Sequence, residues 1–145
     1  MKIERSVLQR IVATVGSAAP ETGGVLGIKD GVVCEFYFDE SAIPQAHEYC
    51  PNTGAINAQL EEWAQRGIAF AGIIHSHPNG CALLSKGDTE GIATIVNAIP
   101  RFERLYFPIV TNEGGVFSMS VYCVSGAGET LCISEEEYEV TQEDV

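Results

Sequence analysis

Basic residues are scarce in this chain. Eight lysines and arginines stand against 20 aspartates and glutamates, for a net charge of −12. A surface of that sign repels a phosphate backbone, which argues against nucleic acid and leaves a neutral or basic protein as the better partner. Long apolar runs are also missing. None approaches the roughly 20 residues that cross a bilayer, and Ile11 to Val15, preceded by Lys2, Glu4, Arg5 and Arg10, is too short for a signal-peptide core. The expectation is a soluble, cytoplasmic protein with no membrane partner. No Cys-x-x-Cys pair occurs among the five cysteines, Cys34, Cys50, Cys81, Cys123 and Cys132. Their odd number, in a chain long enough to build a core unaided, points to reduced thiols rather than a disulfide framework. Cys34 and Cys123 fall at apolar positions of strand patterns and are expected inside. Internal repeats, low-complexity segments and linkers are absent too, so residues 1–145 read as one domain. The acidic end, about 134–145, reads as a solvated strand edge and tail.

What the chain does contain is periodicity. Val7, Leu8, Ile11, Val12 and Val15 recur at helical spacing and predict a helix over 3–17, which Pro20 helps to end. A loop at Glu21-Thr-Gly-Gly24 precedes a strand from Val25 to Lys29. Asp30-Gly31 makes a two-residue hairpin turn into Val32 to Phe38. Residues 39–51 are irregular, with room for a further strand. Asn52 or Thr53 caps a second helix with Ile56, Leu60 and Trp63 or Ala64 on its apolar face, and Gly67 ends it. Ile68 to Ile74 is almost wholly apolar, as in a central strand covered on both faces. A third helix from about Ser85 buries Ile92, Ile95, Val96 and Ile99 and stops at Pro100. Leu105 to Thr111 and Val116 to Val124 are strands joined by Asn112 to Gly115, and a last strand lies within Thr130 to Val140. This order predicts an α/β domain, a mixed sheet packed with helices.

The central strand runs directly into His75-Ser-His77. Histidines two apart on a strand point to the same face, so both imidazoles can meet one ion. Seven residues later come Ser85 and, three further, Asp88. If the third helix begins there, the loop can fold back and set Asp88 opposite the histidines. Two imidazoles and a carboxylate suit Zn²⁺, and three protein ligands leave a fourth position open, as in catalytic rather than structural sites. Taken alone, Ser85-x-x-Asp88 is an ordinary helix-capping pair, and the two roles are compatible. At about 5% usage per residue type, the four positions together match by chance on the order of once in 10⁵ starting points, which favours the metal site. Ser76 points off the site face and is read as structural. His47, beside Glu48 but outside any His-Glu-x-x-His pattern, is read as a loop residue, and Cys81 is not assigned to the metal.

The spacing His75-Ser-His77, seven residues, Ser85, two residues, Asp88 resembles the JAMM motif. Pro20-Glu-Thr-Gly-Gly-Val-Leu-Gly27 is similar to the glutamate segment upstream in that family, most of all in its bacterial Jab members. The resemblance runs from the first helix to about Val124. It implies a cytidine-deaminase-like JAMM/MPN fold and zinc-dependent peptide or isopeptide hydrolysis. His75, His77 and Asp88 then hold zinc, Glu21 acts as general base, and Ser85 stabilises the oxyanion. From the residues alone Glu21 is only a solvated loop carboxylate. Leu84 stands where proline often precedes the motif serine. The chain also lacks the long insertions with which eukaryotic deubiquitinases of the family hold ubiquitin. The resemblance implies a substrate among ubiquitin-like or sulfur-carrier proteins ending in Gly-Gly. A non-catalytic MPN-type interaction module is the alternative. A zinc deaminase is disfavoured because neither His-x-Glu nor Pro-Cys-x-x-Cys is present.

Overall fold

The computed structural model describes residues 1–40, 49–99, 102–125 and 132–142. Its elements run β1 (Lys2–Glu4), α1 (Arg5–Ala13), β2 (Gly23–Lys29), β3 (Val32–Phe38), α2 (Thr53–Gln65), β4 (Ala69–Ser76), α3 (Lys86–Ala98), β5 (Arg104–Glu113), β6 (Val116–Ser125), β7 (Cys132–Glu136) and β8 (Glu139–Thr141). The strands form one mixed sheet in the order β7-β6-β5-β4-β2-β3-β1-β8. β4 lies inside it, antiparallel to β2 and parallel to β5. The fold is the expected α/β sheet packed with helices.

The sheet curls. β7 and β8 are consecutive in the chain yet lie at opposite ends of the strand order, so the two edges come together. Inside the curl sits α1. Val7 and Ile11 pack with Ile3, Leu26, Val33, Phe36, Ile74, Val110 and Val121, all buried. The other helices cover the outer face. α2 lays Ile56 and Trp63 on Val25 and Ile68. α3 lays Ile92 on Leu105, Phe107 and Val124, with Ile73, Leu84 and Ile95 packed around them. Alternation along β4 therefore sends Ile74 inward and Ile73 outward, which is why this strand reads as a continuous apolar run.

Local chemistry sets several element ends. Asp30 and Gly31 both have positive φ, as a two-residue hairpin turn requires. Asn52 caps α2 by accepting the Ala55 N–H at 3.2 Å. Gly67, at φ +74°, closes α2 with Gly67 N–H to Ala64 O and Ile68 N–H to Trp63 O, the paired bonds of a Schellman cap. Three expectations are corrected. The first helix spans 5–13 rather than 3–17, because Lys2–Glu4 pairs with β3 as a strand. The last strand is two strands, which pair with β6 and β1 respectively. Cys34 is half-buried rather than fully inside, while Cys123 is buried. His47, Pro44 and Pro100 fall outside the described residues. Among the described residues, no helix is long and apolar enough to cross a membrane.

Candidate metal centre

The site lies on the outer face of the sheet, at the carboxyl end of β4. His75 ends the apolar run and His77 follows just past the strand, both nine-tenths buried. Their imidazoles meet at an edge-on angle of 66°, and the two Nε2 atoms are 2.9 Å apart. Nδ1 of His77 lies 3.0 Å from the Cys81 carbonyl oxygen. With the proton on Nδ1, that bond turns the Nε2 lone pair toward the site.

Asp88 arrives from the first turn of α3. Its Oδ1 is 3.0 Å from His75 Nε2, and its Oδ2 is 3.0 Å from His77 Nε2. Ser85 is the N-cap. Its hydroxyl accepts the Asp88 N–H at 3.0 Å, and its own N–H donates to Asp88 Oδ2 at 2.8 Å, a reciprocal capping box. The capping reading and the meeting with the histidines therefore hold together. Burial raises the Asp88 carboxyl. Hydrogen bonds from His75 and Ser85 outweigh it and leave the group well below the ordinary carboxylate range. Leu84, where the motif often has proline, packs into the apolar cluster under α3 and holds the loop by burial instead.

Glu21 comes from the segment before β2, after a cis Pro20–Glu21 peptide. Ser76 fastens that segment: Ser76 N–H donates to Thr22 O at 2.9 Å, and the Ser76 hydroxyl accepts the Thr22 N–H at 3.0 Å. The Glu21 side chain is 7% exposed, with Oε1 3.6 Å from His77 Nε2. Ligand atoms of Glu21, His75 and His77 all lie within 4.8 Å of one another. Two carboxylates thus flank the imidazole pair. Asp88 touches both Nε2 atoms and is the closer; Glu21 reaches from the side, toward His77.

The donor set fits a divalent cation. Two ring nitrogens and a carboxylate converge at about 3 Å spacing, near the ligand–ligand edge of roughly 3.4 Å that bonds of about 2.1 Å give in a tetrahedron. Without a cation, two carboxylates would share a nearly buried site with imidazoles that are neutral unless protonated. Around the donors opens a cleft of about 590 Å³. Glu21, His75, His77, Ser85 and Asp88 line it together with Tyr49, Pro51, Ile73 and the α3 residues Gly87, Gly91 and Ile95.

Three contributors escaped sequence reasoning: Tyr49, its partner Asp39 and the Cys81 carbonyl. Tyr49 and Asp39 flank a sequence with no apolar periodicity, and Gly23, read from the sequence as loop, lies in β2. The Cys81 carbonyl was equally invisible, since any residue supplies one.

Similarity to known proteins follows the same lines. A JAB1/MPN domain protein from Archaeoglobus fulgidus is 25% identical over 97% of each chain, with a TM-score of 0.51. A protein from Desulfitobacterium hafniense superposes with a TM-score of 0.73 at 18% identity, covering 98% of this chain and 93% of the other. One from Salinibacter ruber gives 0.57 at 18% identity, covering 99% and 92%. The last two show likeness of fold. No curated protein matches the chain by sequence. The family model of the prokaryotic homologs of the JAB domain matches residues 4–124, and with the site and sheet just described the chain belongs to that family.

Proposed function

We propose that this chain is a zinc-dependent peptidase or isopeptidase that cuts after the Gly-Gly tail of a ubiquitin-like or sulfur-carrier protein. The observation that carries the reading is the convergence of His75 Nε2, His77 Nε2 and both Asp88 carboxylate oxygens at about 3 Å, with Glu21 beside them. His75, His77 and Asp88 hold the ion. When bound, zinc supplies Lewis acidity that makes hydroxide available near neutral pH.

The chain's own residues do the rest. Glu21 reaches the site without the two-nitrogen contact of Asp88, so its carboxylate is the one left to accept a proton from water and return it to the leaving amine. Ser85, on the cleft wall, donates a hydrogen bond to the carbonyl oxygen as negative charge gathers there. Cys81 O keeps His77 in the tautomer that faces the site, and Ser76 keeps Glu21 in place through Thr22. Nine-tenths burial of the imidazoles limits water and strengthens each of these interactions. An extended substrate tail docks by main-chain bonds, and small residues next to the cut let its backbone approach. The net charge of −12 favours a neutral or basic carrier.

Two measurements test the reading. The purified protein should carry close to one zinc per chain, and His75→Ala, His77→Ala and Asp88→Ala should each lose it; stoichiometric zinc in all three variants rejects the ligand set. A carrier extended past Gly-Gly by one residue, or by an isopeptide-linked lysine, should be trimmed back to Gly-Gly, as followed by mass. Glu21→Gln should keep zinc and slow that cleavage by roughly 10²-fold or more. Full zinc loading with an intact carrier would instead match the non-catalytic module.

A further inference from the structure

Four side-chain positions make a square on the outer face where β2 meets β4. His75 and His77 form one side. Gly23 pairs across the strands with His75, and the Ser76–Thr22 bonds carry the register on, setting Glu21 opposite His77. Imidazoles and a carboxylate fill three corners. The fourth corner belongs to a glycine, and Tyr49 occupies its side-chain space: a Cβ on Gly23 would come within 2.6 Å of ring atoms Cδ2 and Cε2. The Ile74 carbonyl oxygen also lies 2.6 Å from that Cβ position, so backbone and ring together exclude a side chain there. Because Gly23 pairs with His75, the Tyr49 ring lies over the strand pair that carries His75, and both residues line the same cleft.

The ring is tied down. Its hydroxyl donates to Asp39 Oδ2 at 2.7 Å, and the same oxygen accepts the Asn52 N–H at 2.9 Å. Asp39 is 3% exposed, and its own N–H donates to Gly23 O at 3.0 Å. A carboxylate buried this deeply costs several kcal/mol unless its partners compensate. Both side-chain bonds fall on Oδ2, while Oδ1 has no hydrogen-bond partner among the described residues. The bonds that are made join the end of β3, the start of β2 and the cap of α2 around Tyr49. The opposite wall differs. A Cβ on Gly91 of α3 would meet nothing within 4 Å, and one on Gly87 only the Ser85 hydroxyl at 3.8 Å. One wall is a fixed aromatic ring, and the other is open.

We infer that Tyr49, held by Asp39, is the specificity-determining residue of the cleft: the residue before the cut bond lies with its backbone against the ring, which admits glycine and turns away residues bearing a Cβ. The open wall of α3 takes the side chain beyond the cut. This rests on the peptidase reading above. Backbone atoms pack against a ring at about 3.5–4 Å. An intervening Cβ lifts them by about 1 Å or more, enough to take the reacting carbonyl out of alignment.

Binding separates the inference from the activity. Zinc-loaded Glu21→Gln protein is titrated calorimetrically with two peptides, one carrying Gly-Gly-Lys and one Gly-Ala-Lys at its end. The glycine peptide should bind about tenfold or more tightly, the usual worth of one methyl group in a closed site. Adding Tyr49→Ala should bring the two within about twofold, while Tyr49→Phe, which keeps the ring and loses its tie to Asp39, should fall between. Trp63 fluorescence and zinc content check folding, and Tyr49→Leu replaces Tyr49→Ala if the latter misfolds. An undiminished glycine preference without the ring, or no preference in the parent, overturns the inference. If the unmutated chain still trims the extended carrier in that case, the peptidase reading stands. A preference erased by Tyr49→Ala, in a protein that cleaves nothing, upholds the role of the ring and rejects the peptidase reading.

Discussion

At the scale of single residues, the metal centre depends on groups that never touch the ion. Ser76 shows this best. Alternation on β4 turns it away from the histidines, and its hydroxyl accepts the Thr22 N–H instead. Removing the hydroxyl leaves that N–H without its side-chain acceptor and loosens the residue next to Glu21. Ser76→Ala should therefore cost about 1–3 kcal/mol in urea unfolding, keep its zinc, and lower turnover while barely changing KM. Loss of zinc rather than turnover would mean that Ser76 supports the ligands and not Glu21. The sequence exposed the direction of Ser76 through its period of two, and the histidines and Asp88 through their spacing. It could not expose the Thr22 bond, because that requires the β2–β4 register. The Cys81 residue shows the same limit: its thiol drew notice, whereas its carbonyl holds His77.

At the scale of elements, what was legible is what repeats. The apolar run of β4, the Asp30-Gly31 turn and the capped starts of α2 and α3 each carry their own chemistry within a few neighbouring residues. β1 and β8 do not, since a three-residue strand holds too few positions to establish a period and exists only by pairing. Tyr49 and Asp39 belong to this second kind, as partners brought together by the ends of β3 and α2. Their link has a pH signature. Burial, then the hydrogen bond to Asp39, raises the Tyr49 phenol well above its usual value of 10.0. A group whose pKa is higher folded than unfolded supports the fold fully below the unfolded value and loses that support as pH rises. Stability should thus decline above about pH 10. Tyr49→Phe has no phenol to ionise and should flatten part of that decline in thermal melts between pH 9 and 11. Tyr106, Tyr122 and the thiols of Cys34 and Cys123, also raised by burial, contribute to the same decline. An identical slope in the variant would show that the Asp39 bond is not held in solution.

At the scale of the whole molecule, the curled sheet and the metal centre are largely independent structures. The three apolar clusters include none of Glu21, His75, His77 or Asp88. The metal-free chain should therefore fold. The candidate ligands nevertheless come from separate pieces, the end of β4 and the first turn of α3, with Glu21 ahead of β2, and an ion that joins them binds only the folded state. At a free zinc level about a thousand times its Kd, such binding adds about 4 kcal/mol, which for a domain of this size raises the melting temperature by roughly 10 °C or more. Stripping the ion with a chelator should reverse that rise, and restoring zinc should recover it. Asp88→Ala should melt at the same temperature with or without chelator, somewhat below the stripped parent, because it also forfeits one arm of the α3 capping box. Calorimetry on the loaded, stripped and Asp88→Ala proteins checks all three statements. A loaded parent whose melting temperature ignores the chelator would place its zinc somewhere other than the β4–α3 junction.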